Sequence, residues 1–233
     1  MITVRINLAH VQATLGRLAA ARELLLQTLA ECRDTGNRRM EAIAQANLSG
    51  TWVDAGDCEA GYAAAMEGLR LAALIGESRT AAWAHNGAQY AAYGLGRLEQ
   101  ALEHARCAEE GFRTQGDPAS ARINAAAAAR NLQALGRADE ARAAAEALLA
   151  EADAAADGWD GAYELAYLLH QALAPLGHPR ATSLLQAAYD SLNAVAEQMA
   201  AHVSRAEFLG QVLTHRNICA AWQAAQPSPP DRP

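Results

Sequence analysis

The sequence predicts an all-α fold, a solenoid of about five helical hairpins closed by a C-terminal capping helix. Three observations carry that prediction. Glycine recurs every 20 residues at Gly16, Gly36, Gly56, Gly76, Gly96, Gly116 and Gly136, with Gly177 following one residue late. Alternate members share local text, as in Leu15-Gly16-Arg17-Leu18, Leu95-Gly96-Arg97-Leu98 and Leu135-Gly136-Arg137-Ala138, so the true unit is 40 residues and two helices. A unit of this size cannot bury its apolar face alone and must stack on its neighbours. Finally, alanine makes up about a quarter of the chain and β-branched residues are sparse, which favours closely packed helices and leaves little material for strands.

Glycine after a periodic stretch stops a helix, because it takes the left-handed conformation without a Cβ penalty. Reading each glycine as a stop places helices at about 2–15, 18–34, 39–55, 58–74, 79–95, 98–114, 118–135 and 138–155. Each would be roughly 21–26 Å long at 1.5 Å per residue. Asp57, Asp117-Pro118 and Asp139 supply acidic or N-terminal-proline starts. The next stop slides to Gly158, and a fifth pair follows at roughly 161–175 and 179–203, broken by Pro175 and Gly177-His178-Pro179. Residues 205–225 read as one amphipathic capping helix that shields the last repeat, and 226–233 as a proline-rich disordered tail. The repeats are then about 1–38, 39–78, 79–117, 118–158 and 159–203, one solenoid domain over 1–225. Met1 falls almost where the first helix should begin, which suggests a piece of a longer array or an abrupt start, with an apolar end able to pair with another copy.

Composition excludes several classes of function. The formal charge is -7 and the arginines are spread over every repeat, which argues against nucleic-acid binding. There is no lysine, hence no Walker lysine, Schiff base or lysine general base. Cys32, Cys58, Cys107 and Cys219 are isolated, and no stretch has the length of a signal peptide core or membrane span. The expectation is a cytoplasmic protein with reduced thiols and no membrane contact. His215 and Cys219 stand at i and i+4, but two ligands do not make a metal site. Gly94-x-Gly96 lies at a helix end, not after a strand, so it is no nucleotide fingerprint. No catalytic set, cofactor site or metal site emerges.

Aligned on the turn glycines, the unit resembles the tetratricopeptide repeat (TPR). Five residues after the glycine, where that repeat has a small residue at the helix crossing, stand Ala21, Gly61, Ala101 and Ala141, with Ala181 one place early. The triplets Asn7-Leu8-Ala9 and Asn47-Leu48-Ser49 recur in the first helix. The 40-residue unit exceeds the common 34-residue form and is similar to the long repeats in C-terminal regions of bacterial STAND regulators, maltose-regulator-like activators and ATPase–cyclase proteins. The closing Arg205-x-x-Phe208-Leu209-x-x-Val212-x-x-His215-Arg216-x-Ile218-x-x-Ala221-Trp222 resembles the end of those arrays, with Leu213-Thr214 where a proline is usual. The resemblance implies a right-handed superhelix that binds or senses, with nucleotide hydrolysis or DNA binding carried elsewhere.

In such arrays the first helix of each pair lines the concave face. This maps Thr3, Ile6 and His10; Ile43, Ala46 and Val53; Trp83, Asn86, Tyr90 and Tyr93; Ile123, Arg130 and Gln133; and Glu164, Tyr167 and Gln171. Trp83, Asn86, Tyr90 and Tyr93 share one helical stripe, and aromatics with a polar tip are favoured interface anchors. Arg130 and Gln133 could add directed hydrogen bonds, and Tyr167 and Gln171 extend the stripe. The alternative is that Trp83 and one tyrosine are inter-repeat core. The expected function is a scaffold or sensor module holding a protein or peptide segment, including other domains of a parent regulator. The alternative is a small-molecule, inducer-like sensor using the same groove.

Overall fold

The computed structural model describes residues 1–154 and 163–226. Within them run α1 (Ile2–Thr14), α2 (Leu18–Asp34), α3 (Arg38–Asp54), α4 (Cys58–Ile75), α5 (Ser78–Gly94), α6 (Leu98–Thr114), α7 (Pro118–Ala134), α8 (Ala138–Ala154), α9 (Tyr163–Leu173), α10 (Ala181–Gln198), α11 (Arg205–Gln211) and α12 (Leu213–Ala225). Short 3-10 turns cover Ala174–Leu176 and Met199–Ala201, and the described residues contain no strand. The expected stop at Gly158, the residues just before α9 and the tail beyond 226 lie outside the described residues.

The glycine punctuation accounts for the helix ends. All eight interval glycines have positive φ, from +64° at Gly177 to +91° at Gly56, and no other described residue type does. Several helix starts are closed by side-chain acceptors, and Asn37 takes the Met40 amide at the start of α3. Asp57 takes the Ala60 amide, Glu77 that of Thr80, and Asp117, followed by Pro118, that of Ser120. Asp139 sits in the first turn of α8.

Among the first helices of successive pairs, α1 packs on α3, α3 on α5 and α7 on α9, while α7 reaches α5 through the Arg130–Gln89 bond; α2, α4, α6, α8 and α10 are the second helices of their pairs. Their approach is close because the crossing residues are small. Ala21, Ala101 and Ala141 are fully buried. A Cβ added at Gly61 would lie 2.8 Å from Val53 Cγ2. The main apolar cluster joins Leu102 and Ala105 of α6 to Leu165, Leu169 and Leu173 of α9 through the alanines of α7.

The position of the C-terminal segment departs from expectation. Residues 205–225 are two helices, not one, separated at Val212, whose backbone is extended (φ -79°, ψ 129°). They also reach back to the first hairpin. Leu15 joins the cluster of Phe208, Leu192 and Ile218. Arg17 donates to the His202 carbonyl at 2.7 Å and faces Glu207 at 3.8 Å. The concave face is thus a closed interior and not an open wall, because the last helices seat on the turn between α1 and α2.

One face stays uncovered. Val4, Leu8 and Val11 of α1 are 71%, 45% and 50% exposed, whereas their equivalents 40 residues on, Ala44, Leu48 and Thr51, are at most 5% exposed. In each later hairpin the preceding pair supplies that cover, as α2 does for α3 and α4 for α5.

Candidate functional site

The closed interior holds two adjoining cavities of about 330 and 370 Å³. Their linings share Gly50, Asp54, Asn86, Gly87 and Glu164, so they form one continuous space. Gly50, Gly87 and Gly94 line the first cavity; a Cβ at Gly87 or Gly94 would collide with Ser49 Oγ or Cys58 Sγ, whereas Gly50 has open space beside it. Asn86, Tyr90 and Tyr93 reach the first cavity from α5, Tyr167 and Gln171 from α9, and Leu213, Thr214 and Asn217 from the capping segment.

The expected stripe is therefore largely brought together. Trp83 lines the second cavity and is 45% exposed, while its ring stands edge-on to buried Phe112 at 4.8 Å. It thus lines the cavity and packs against the inter-repeat core at once. Arg130 also lines the first cavity. It is 4% exposed, lies 3.6 Å over the Tyr93 ring, and donates to Gln89 Oε1 at 3.1 Å and Asn131 Oδ1 at 2.9 Å. Its charge reaches the cavity, but these donors are committed to the scaffold. Gln133 lines neither cavity. Of the equivalent positions, both Tyr90 and Tyr93 of α5 line the cavity, but on α7 Arg130 does and Gln133 does not.

Two carboxylates complete the site. Glu164 of α9 accepts the Tyr90 hydroxyl proton at 2.6 Å, joining hairpins 74 residues apart in sequence. Burial lifts its carboxyl above the usual range, against the lowering effects of the Tyr90 bond and Arg130. The side chain of Asp54, the last residue of α3, makes no hydrogen bond or ion pair among the described residues. Burial, with the nearby Glu164 charge, pushes it up to about 7 against a small opposing effect of Arg216. Asp54 was missed in the sequence, although a signal existed: the equivalent positions in neighbouring repeats are Thr14, Gly94 and Ala134, all uncharged.

His215 is structural. It is buried, with Nδ1 2.9 Å from the Phe208 carbonyl and Nε2 3.0 Å from the Tyr163 hydroxyl, tying the cap to α9. Its neighbour in sequence spacing, Cys219, adds no metal centre, and no group of three metal-type ligands occurs among the described residues. Nor, among those residues, is any helix long and apolar enough to cross a membrane.

Comparison with known proteins defines the class first. Solved structures similar to this chain are helical-repeat proteins. The apo form of RapI aligns over 96% of this chain and 65% of its own, with a TM-score of 0.67 and 11% identity. A Rap protein complexed with Competence and Sporulation Factor aligns over 94% and 63%, with a TM-score of 0.65 and 16% identity. A Podosopora anserina protein of nearly identical TPR-like repeats, described as a kinesin light chain, aligns over 96% and 97%, with a TM-score of 0.59 and 18% identity. The chain thus has the TPR-like helical-repeat fold and spans just under two thirds of the Rap chains. No protein-family model matches it, and no curated protein matches it in sequence.

Proposed function

We propose that this chain is a binding module whose closed interior holds a short segment of a partner polypeptide, free or belonging to a longer regulator of which this is the sensing part. The observation that carries the reading is the continuous aromatic-lined space, where Trp83, Asn86, Tyr90, Tyr93, Tyr167 and Gln171 converge from α5 and α9. Apolar walls with a few directed polar groups suit ligand capture, and the volume fits a few residues in place of a whole helix. The structural likeness to a Rap protein that was crystallised with a peptide factor supports it. The test is panning of a random-peptide library on the folded chain. Enriched peptides should lose most of their affinity for a variant carrying Asn86→Ala and Gln171→Ala. Peptides that bind this variant as well as the parent defeat the assignment.

The enclosure and modest volume also favour a second reading, a small-molecule sensor. A thermal-shift screen separates the two, since a ligand at 100 times its Kd stabilises by about 2.7 kcal/mol. The exposed Val4, Leu8 and Val11 face adds a second contact site in this reading, for a preceding helical pair or another copy. Light scattering over a concentration series tests self-association there; a monomer at every concentration removes the second copy.

A further inference from the structure

We propose that the exposed face of α1, read above as a second contact site, pairs with the same face of a second copy of this chain, the two α1 helices lying antiparallel across a two-fold axis. The pairing is independent of what the interior holds.

The exposed apolar residues of α1, with the residue before it, are Met1, Val4, Leu8 and Val11. Their intervals alternate between three and four residues, the seam of a helix that packs side by side with another, knobs into holes. Residue size then decides between a second copy and a preceding hairpin. In the hairpins that are covered, Val4 is replaced by Ala44, Ala84 or Asn124, Leu8 by Leu48, Ala88 or Ala128, and Val11 by Thr51, Ala91 or Asn131. All of these are buried. Except for Leu48 they are small or polar, and they let the preceding helix come close. A hairpin seated equally close on α1 would meet branched apolar side chains along the whole stripe, the overpacked case. A helix at coiled-coil distance accommodates them.

Charge permits the symmetric contact. α1 carries no acid, and its one arginine, Arg5, is held by Glu31 of α2 at 2.8 Å. The other exposed side chains of α1 are Thr3, Asn7, His10 and Thr14. Two copies therefore meet without fixed like charges facing each other, although the chain as a whole has a formal charge of -7. Antiparallel placement sets each helix N-terminus beside the C-terminus of the other, which the helix dipoles favour, and the two-fold axis closes the assembly at two copies. With the axis between Val4 and Leu8, Val4 stacks on Leu8 of the second copy and Met1 on Val11 of the second copy. One helix face is a small interface, so the pair forms and separates with concentration.

The test is sedimentation velocity on the intact chain from about 1 to about 500 μM, over which it should pass from monomer to dimer. Leu8→Glu should weaken the pair about tenfold or more with an unchanged helical circular-dichroism spectrum, since Leu8 already meets solvent. Leu26 of α2 is also exposed, and its equivalent Met66 stays exposed in a covered hairpin, so Leu26→Glu should leave the dimer as it is. Orientation is read in a Cys107→Ser background, which removes the exposed native thiol. There Val4→Cys mixed with Leu8→Cys should form disulfide-linked dimer several-fold faster than Val4→Cys alone. A monomer throughout, a dimer indifferent to Leu8→Glu or lost in Leu26→Glu, or cross-links that favour Val4→Cys with itself overturns the proposal. A further chain, with a duplicate of residues 18–40 fused before Met1, sets a copy of α2 where it stands before α3. If the parent is monomeric and the fusion raises Tm, the second copy is excluded and the face remains a contact site for a helical pair. If the parent is monomeric and the fusion gains nothing, the contact site itself is removed.

Discussion

Arg130 shows how a residue chosen for its chemistry can be claimed by the scaffold. A guanidinium on a predicted groove helix suggests a hydrogen-bonding contact to ligand, and here part of it fastens α7 to α5 through Gln89 while also binding its neighbour Asn131. Replacing it with alanine leaves those buried amides short of a partner, so Arg130→Ala should lose about 1–3 kcal/mol of unfolding free energy, read by urea denaturation. Asp54 behaves in the opposite sense. Its folded-state carboxyl is raised from the ordinary 3.8 to about 7, chiefly by burial, so the folded chain holds the proton more tightly. That contribution is fully present at low pH and is lost as pH rises from about 4 to about 7. Asp54→Asn should therefore be more stable than the parent at pH 8, with the gap shrinking towards pH 4. A constant difference in the urea midpoint across that range would contradict this.

At the scale of the element, the interval glycines and small crossing residues were legible in the linear text. A positive φ and a lost side chain are local demands that one residue type meets. Gly61 illustrates the demand: its Cβ position is taken by Val53 Cγ2 at 2.8 Å. Gly61→Val should cost about 1–3 kcal/mol, the usual range for an overpacked helix crossing, and would show as a lowered Tm. The end of the chain was read less well. The amphipathic run 205–225 carries no proline or turn motif at Val212, so one continuous helix was the natural expectation. The break exists because α12 must fold back for His215 to reach both the Phe208 carbonyl and the Tyr163 hydroxyl. Those partners lie 7 and 52 residues away, the latter beyond any local pattern.

Across the whole molecule, the decisive event is closure of the first hairpin against the last helices. Phe208 is 1% exposed within the cluster that includes Leu15. Phe208→Ala should cost about 3–5 kcal/mol. It should also loosen the ends enough to raise the radius of gyration in solution scattering. A destabilised variant with unchanged dimensions would mean that the ends are held by other contacts, such as the Arg17–His202 bond.

What the residues alone determined is the repeat: its period, its two-helix unit, its turn glycines and the aromatic stripe on α5. Each of these depends on neighbours within a turn or on recurrence at a fixed interval. What only the tertiary structure decided is that the concave face closes into a chamber, that Arg130 belongs to the wall, and that Asp54 and Glu164 face a common space. Those outcomes depend on the accumulated rotation between hairpins, a sum of small angles from many packed contacts that no short stretch of sequence encodes.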